Sequence, residues 1–251
     1  MVENSSPRTY ADVKLILGDQ GSGKTCSGVA LVKEDYYDQL TGIQSPSGEI
    51  IRARCLNEDD RIYLEKRGVF PDKFKYIRVF SDDGVKSKII KKPSDYDVIS
   101  PVKIFSNFHL FGMSHALITL ADVVQYLNSD LFTNAWILSD ESVMTSARNS
   151  MTAVGKLLAG LGATIRKRDL HFCQMSQYNR QVDWQFRAYA TTRILCSFDE
   201  ITKVITCDIT ERGQPRRSVS YWAPAYWRNF DTKEVPKIPE RTLAKAFETV
   251  S

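Results

Sequence analysis

The chain is 251 residues long, 43% hydrophobic and 25% charged, with 13 Gly and 9 Pro, a profile that excludes a disordered tail protein or a collagen-like fibre. At this length a folded chain buries roughly 70–75% of the surface its unfolded form exposes, so a core needs no disulfide or metal, and one principal domain over 1–251 with an elaboration is expected. Lys and Arg number 34 against 30 Asp and Glu, a net charge of +4 too mild to identify a nucleic-acid partner by itself.

The five cysteines, Cys26, Cys55, Cys173, Cys196 and Cys207, form no CxxC pair and have no His at ligand spacing. They read as reduced, mostly buried thiols of an intracellular protein. No apolar run approaches the roughly 20 residues needed to span a bilayer, so no transmembrane segment is expected. The stretch MVENSSPRTYADVK has no hydrophobic signal core, which predicts a protein that is not secreted.

Residues 1–12 are polar, with Ser5-Ser6-Pro7 as a breaker. Val13-Lys14-Leu15-Ile16-Leu17 is the first apolar run and stops at Gly18, the pattern of a short buried strand feeding a glycine-rich turn. From Thr25 to about Leu40 the spacing of Val29, Leu31, Val32, Tyr36 and Leu40 predicts a helix that ends before Gly42.

The stretch 41–100 differs in character. Turn clusters at Ser45-Pro46-Ser47-Gly48, Asn57-Glu58-Asp59-Asp60, Ser81-Asp82-Asp83-Gly84 and Pro93-Ser94-Asp95 surround short apolar runs such as Tyr76–Phe80. This reads as an insertion between the first helix and the next core strand. Its basic run from Lys86 to Lys92 is either a solvated strand edge or a DNA contact.

Beyond Pro101, strands are predicted at Val102–Ser106, Ala135–Ser139, Leu170–Gln174 and Arg193–Ser197, with helices between them at Ala121–Asn128 and Met151–Ile165. Strands alternating with helices imply a mainly parallel α/β sheet with right-handed crossovers. Val204–Ile209 and Ser218–Trp222 flank the turn Glu211-Arg212-Gly213-Gln214-Pro215 and predict a hairpin at the sheet edge. The tail from Pro236 ends in a short amphipathic segment, and no internal repeat occurs.

Gly18-Asp19-Gln20-Gly21-Ser22-Gly23-Lys24-Thr25 fits G-x-x-x-x-G-K-[ST] between a strand and a helix. Its glycines let backbone N–H groups curl around phosphate, and the helix N-terminus adds partial positive charge. Lys24 would neutralise the β and γ oxygens, and the Thr25 hydroxyl would hold Mg²⁺. With Cys26 at the helix start, Gly18–Cys26 is the candidate nucleotide site.

Ala135-Trp136-Ile137-Leu138-Ser139-Asp140-Glu141 is an apolar strand ending in adjacent carboxylates, which a parallel sheet delivers to its carboxyl edge beside the phosphate loop. Asp140 would bind the Mg²⁺ shell and Glu141 would polarise the attacking water; the plain alternative is an Asp-Glu helix N-cap. Gln174, at the end of the next strand, is a candidate sensor of the γ-phosphate, or else a surface amide. Arg187 is a candidate trans-acting arginine, with Arg193 and Arg180 as alternatives; each could equally be a surface ion-pair partner.

The order of these motifs resembles the HerA/FtsK superfamily. The resemblance rests on GDQGSGKT after a strand, the strand Ile104-Phe105-Ser106-Asn107, ILSDES, Ser146-Ala147-Arg148-Asn149-Ser150, Arg166-Lys167-Arg168, the strand ending in Gln174, Val182-Asp183-Trp184-Gln185-Phe186-Arg187 and the late Phe230-Asp231-Thr232-Lys233-Glu234. Within that superfamily the chain is similar to the compact genome-packaging ATPases of membrane-containing icosahedral viruses, including archaeal ones, and to their Zot-like relatives. The likeness covers about residues 10–40 and 101–235, and 41–100 has no counterpart in it.

The resemblance implies a RecA-like P-loop NTPase core of the ASCE type, with an inserted subdomain and a C-terminal β-hairpin, that uses ATP and Mg²⁺. It implies a homo-oligomer, a hexameric or similar ring, that drives double-stranded DNA through its channel. Arg148, Arg166, Lys167 and Arg168 become candidate DNA contacts; a solvated surface is the plain alternative. Capsid or viral membrane proteins at a packaging vertex become candidate partners, in the host-cell cytoplasm or the virion. Two related readings are a plasmid or conjugative DNA-pumping ATPase and a Zot-like morphogenesis ATPase; a P-loop metabolic kinase is a third.

Overall fold

Among the described residues two β-sheets organise the chain, one of eight strands and one of five. A computed structural model describes residues 13–81, 83–118, 122–123, 126, 129–140, 169–177, 182 and 184–231. The chain divides into two compact units. The first holds the described residues up to Ala30, then Lys103–Phe111 and those from His115 onward; the second is Leu31–Val102 with Gly112–Ser114.

In the first unit the order of strands is β13-β12-β11-β1-β10-β9-β7-β8. These are β1 (Val13–Leu17), β7 (Lys103–Ser106), β8 (Ala116–Leu117), β9 (Ala135–Asp140), β10 (Leu170–Ser176), β11 (Thr192–Asp199), β12 (Val204–Glu211) and β13 (Arg217–Trp222). β11, β1, β10, β9, β7 and β8 are parallel neighbours, and β12 and β13 close one edge in antiparallel fashion. One strand, β10, stands between the phosphate-loop strand β1 and the Asp-Glu strand β9. The fold is a mainly parallel α/β sheet, with the expected hairpin at its edge.

The apolar runs make this sheet central. β9 and β10 are buried almost end to end, because strands covered on both faces need no polar alternation. Leu15, Ile16, Ile137, Leu138, Leu170 and Phe172 are fully enclosed, each worth about 1.5–3 kcal/mol of burial. Helix α1 (Lys24–Asp38) packs closely at Gly28. A Cβ there would stand 2.8 Å from the Met175 sulfur, so glycine is what lets the helix approach β10. β8 escapes sequence patterning because two residues carry no period.

In the second unit the sheet order is β5-β4-β3-β2-β6, with β2 (Gly42–Gln44), β3 (Ile50–Cys55), β4 (Tyr76–Phe80), β5 (Ser87–Lys91) and β6 (Asp97–Ile99) all paired antiparallel. The cluster Asn57–Asp60 reads in sequence as a turn. It is instead the start of helix α2 (Glu58–Glu65): the Asn57 side chain accepts from the Asp60 N–H and the Asp60 carboxylate accepts from the Asn57 N–H. A capping box and a turn draw on the same short polar side chains, so composition does not separate them. Asp60 also binds Arg54 and Arg78 across the sheet. The lysines of the Lys86–Lys92 run flank and occupy β5, an edge strand with exposed Lys88 and Lys91.

Among the described residues no helix is long and apolar enough to cross a membrane. Of the predicted helix Ala121–Asn128, only Asp122, Val123 and Tyr126 are described, and they are helical. The predicted helix Met151–Ile165 and the tail from Pro236 lie outside the described residues.

Candidate functional site

β1 ends at Leu17 and the chain turns through Gly18–Gly23 into α1. The Ser22 N–H donates to the Asp19 carbonyl at 3.1 Å, and the Ser27 N–H closes the first helical turn on the Gly23 carbonyl at 2.8 Å. Asp19, Gln20 and Gly21 are exposed on the loop, whereas Ser22 and Lys24 are buried. Lys24 folds back, its Nζ donating to the Asp19 carbonyl at 2.8 Å.

The loop is walled by β11 and β12. Gly23 has φ +88°, and a Cβ on it would lie 2.5 Å from Ile205 Cδ1 of β12; a Cβ on Gly18 would lie 2.7 Å from the Cys196 carbonyl of β11. Both positions are closed to larger residues by packing, and Gly23 also by its left-handed backbone. Behind the loop the Tyr221 hydroxyl donates to Ser27 Oγ at 2.5 Å, and Ser27 Oγ reaches the Gly23 carbonyl at 2.9 Å. Cys196 and Cys207, a cross-strand pair with sulfurs 3.7 Å apart, complete this buried cluster. Their mutual hydrogen bond draws the Cys207 thiol down and pushes Cys196 up; burial raises Tyr221.

Thr25 and Asp140 come together at the carboxyl edge. The Thr25 hydroxyl donates to Asp140 Oδ2 at 2.6 Å, a hydroxyl and a carboxylate of the hard-oxygen kind that Mg²⁺ takes while keeping waters and phosphate oxygens in its other positions. The donor set therefore fits Mg²⁺. Asn107, just past β7, holds the Asp140 main chain from both sides: its Nδ2 donates to the Asp140 carbonyl at 3.0 Å, and the Asp140 N–H donates to its Oδ1 at 2.9 Å. Sequence motifs place Asn107 at a strand end but give it no task; the register that brings β7 beside β9 supplies one.

Gln174 requires a correction. Composition predicts a strand that ends there, with the amide at the sheet edge; β10 instead continues to Ser176. Gln174 pairs with Ser139 and Leu15, is 1% exposed, and its Nε2 donates to the Met175 carbonyl at 3.0 Å. Cys173 and Met175 face α1 at Gly28, so Gln174, alternating with them, faces the opposite side of the sheet. Ser176 and Gln177 are the polar residues that reach the edge.

Arg187 lies in the last turn of the short helix Trp184–Tyr189, and its carbonyl accepts from Arg193 Nη2 at 3.3 Å. Arg193 is exposed on β11 in register with Leu15, two residues short of the end of β1. Cys26 is buried with its thiol donating to the Ala223 carbonyl at 3.8 Å. Glu141, Arg148, Arg166, Lys167, Arg168 and Arg180 lie outside the described residues.

No known family model matches the chain, and no curated protein matches it. Among solved structures it is similar to the N-terminal domain of zonular occludens toxin from Neisseria meningitidis, at 15% identity over 89% of this chain and 96% of that one, with a TM-score of 0.48. It is also similar to the RadB recombinase, at 8% identity over 84% and 86% of the chains with a TM-score of 0.44. A third similar structure is a KaiC-like protein from Pyrococcus horikoshii, at 8% identity over 84% of each chain with a TM-score of 0.41.

Proposed function

We propose that the protein is an ATP-driven double-stranded DNA translocase of the HerA/FtsK type, serving as a viral genome-packaging motor. The observation that carries the nucleotide part of this reading is the 2.6 Å contact between Thr25 and Asp140, which joins a phosphate loop to a strand-end carboxylate. The DNA part rests on the motif order read from the sequence.

In this reading Thr25 and Asp140 would hold Mg²⁺, which would supply charge neutralisation at the phosphates. Lys24 exchanges its bond to the Asp19 carbonyl for phosphate oxygens. Glu141, next in the chain after Asp140, draws a proton from the attacking water. The polar end of β10, Ser176 and Gln177, takes the edge position expected of Gln174 and reports loss of the γ-phosphate. Arg187, Arg193 or Arg180 would act on a neighbouring subunit's nucleotide, which ties turnover to a ring. Basic residues, Arg148 and Arg166 to Arg168 among them, would grip the DNA backbone. A packaging motor would work in the host-cell cytoplasm and at a virion vertex, against capsid or viral membrane proteins.

The test is phosphate release from ATP with and without duplex DNA. Wild type is expected to hydrolyse ATP faster when duplex is added, while Lys24→Ala and Glu141→Gln release none. Hydrolysis indifferent to duplex, in a protein whose Glu141→Gln variant still assembles, would replace the motor with an assembly ATPase. Transfer of phosphate to a small acceptor would replace it with a kinase.

A further inference from the structure

The hairpin β11–β12 projects beyond the strand it flanks. Leu17, the last residue of β1, is in register with Leu195, so Cys196–Asp199 runs on past the sheet edge alongside the phosphate loop. Phe198 pairs directly with Ile205, the residue that closes over Gly23, and paired residues of adjacent strands share a face. The Phe198 ring therefore stands on the phosphate-loop side of the hairpin.

A second element converges there. The Ala223 N–H donates to the Lys203 carbonyl at 2.9 Å, and the Ala223 carbonyl accepts from the Cys26 thiol. These bonds moor the turn Ala223–Asn229 between the hairpin tip and the first turn of α1. The mooring sets the Trp227 ring 6.3 Å from that of Phe198 at an interplanar angle of 66°, with Lys203 Nζ 6.0 Å from the Phe198 ring centre. Trp227 remains 41% exposed. An open indole thus stands beside a half-buried phenyl and an ammonium at the Cys26 end of the cradle. Lys24 and the Mg²⁺ pair take the β and γ phosphates, so the α-phosphate and whatever it carries leave at that other end.

We propose that Phe198 and Trp227, with Lys203 beside them, form the stacking platform for the base of the nucleoside triphosphate. This rests on the reading of Gly18–Thr25 as a phosphate site. Stacking uses the ring face that every base has, so the platform separates a nucleotide from bare triphosphate far more than it separates one purine from another.

The experiment is calorimetric titration, with Mg²⁺, of the non-hydrolysable imido analogue of ATP and of inorganic tripolyphosphate, on wild type, Trp227→Ala, Trp227→Phe and Lys24→Ala. Wild type is expected to bind the analogue roughly ten-fold or more tighter than tripolyphosphate. Trp227→Ala should lose that advantage while binding tripolyphosphate as wild type does, and Trp227→Phe should keep most of it. An unchanged ratio in Trp227→Ala overturns the platform. If Lys24→Ala binds both ligands as wild type does, the phosphate site itself is wrong, a separate failure. Should Trp227→Ala lose tripolyphosphate binding as well, intrinsic fluorescence decides. Quenching by the analogue that persists in Trp222→Phe but vanishes in Trp227→Phe supports the platform, and quenching that survives in Trp227→Phe overturns it.

Discussion

Asn107 grips the main chain of Asp140 with both edges of its amide, at 3.0 Å to the carbonyl and 2.9 Å from the N–H. The carboxylate of the same residue receives the Thr25 hydroxyl. The position of a candidate Mg²⁺ ligand is thus set by a side chain that binds its main chain from both sides. Residues that orient metal ligands typically contribute about 10–100-fold in metal affinity. Asn107→Ala should therefore raise the Mg²⁺ concentration for half-maximal ATP hydrolysis by about ten-fold while far-UV circular dichroism stays unchanged. An unaltered Mg²⁺ titration would reduce Asn107 to an ordinary strand end.

Gly23 is held by two separable constraints, its φ of +88° and the closeness of Ile205. The left-handed backbone costs a non-glycine residue roughly 1–2 kcal/mol, and overpacking adds roughly 1–3 kcal/mol. Gly23→Ala should lower stability by about the sum and abolish nucleotide binding. Removing the clash with Ile205→Ala should return only the packing part. In a urea-unfolding double-mutant cycle the pair is expected to be less destabilised than the two single changes added, with nucleotide binding still impaired. Strict additivity would mean that Ile205 moves aside freely.

Asp60 is buried between Arg54 and Arg78 and also accepts the Asn57 N–H. Burial alone would raise its pKa, but the bonds from Arg78, Asn57 and Arg54 outweigh it and hold the carboxyl below its ordinary value. A carboxylate with a depressed folded pKa stabilises the protein above the unfolded value of about 3.9 and loses that contribution as pH falls through the folded one. Asp60→Asn should cost about 3 kcal/mol at neutral pH, since it leaves two guanidinium groups without their counter-charge. The gap between wild type and variant in urea unfolding should narrow below about pH 4. A gap independent of pH would show that the cap matters and the charge does not.

Four of the five cysteines are buried and Cys55 is half-buried. Its Sγ contacts the Lys73 carbonyl, and burial, followed by Asp38, pushes its thiol pKa up. Titration of the native protein with an aromatic disulfide reagent should find one accessible thiol, reacting faster as pH rises above the ordinary thiol range. The other four should react only on unfolding. Loss of the fast phase in Cys55→Ser would confirm the assignment; two fast thiols in the native state would contradict the burial of the other four cysteines.

Gly18–Thr25 is legible in one dimension because a phosphate loop is eight consecutive residues whose conformation is set by its own glycines and by the helix that follows. The alternation of apolar runs with helical spacing likewise predicts a mainly parallel sheet, since burial on both faces writes itself into each strand. Position along an apolar strand is harder to read. The run through Leu170–Gln174 continues with Met175 and Ser176, and where the strand stops depends on its neighbours β1 and β9. The capping box at Asn57 is ambiguous for a different reason, because the same side chains serve a turn or a helix start.

The sequence by itself determines which residues are equipped for phosphate chemistry, since a hydroxyl, an ammonium and paired carboxylates are fixed by residue type. Their mutual placement belongs to the tertiary structure alone. Thr25 and Asp140 are 115 residues apart, Gly23 meets Ile205 only because β12 is folded against the loop, and Phe198 meets Trp227 only because Ala223 is tied to both Lys203 and Cys26. Strand order and register set those distances, through backbone hydrogen bonds and the burial of faces distributed over the whole sheet.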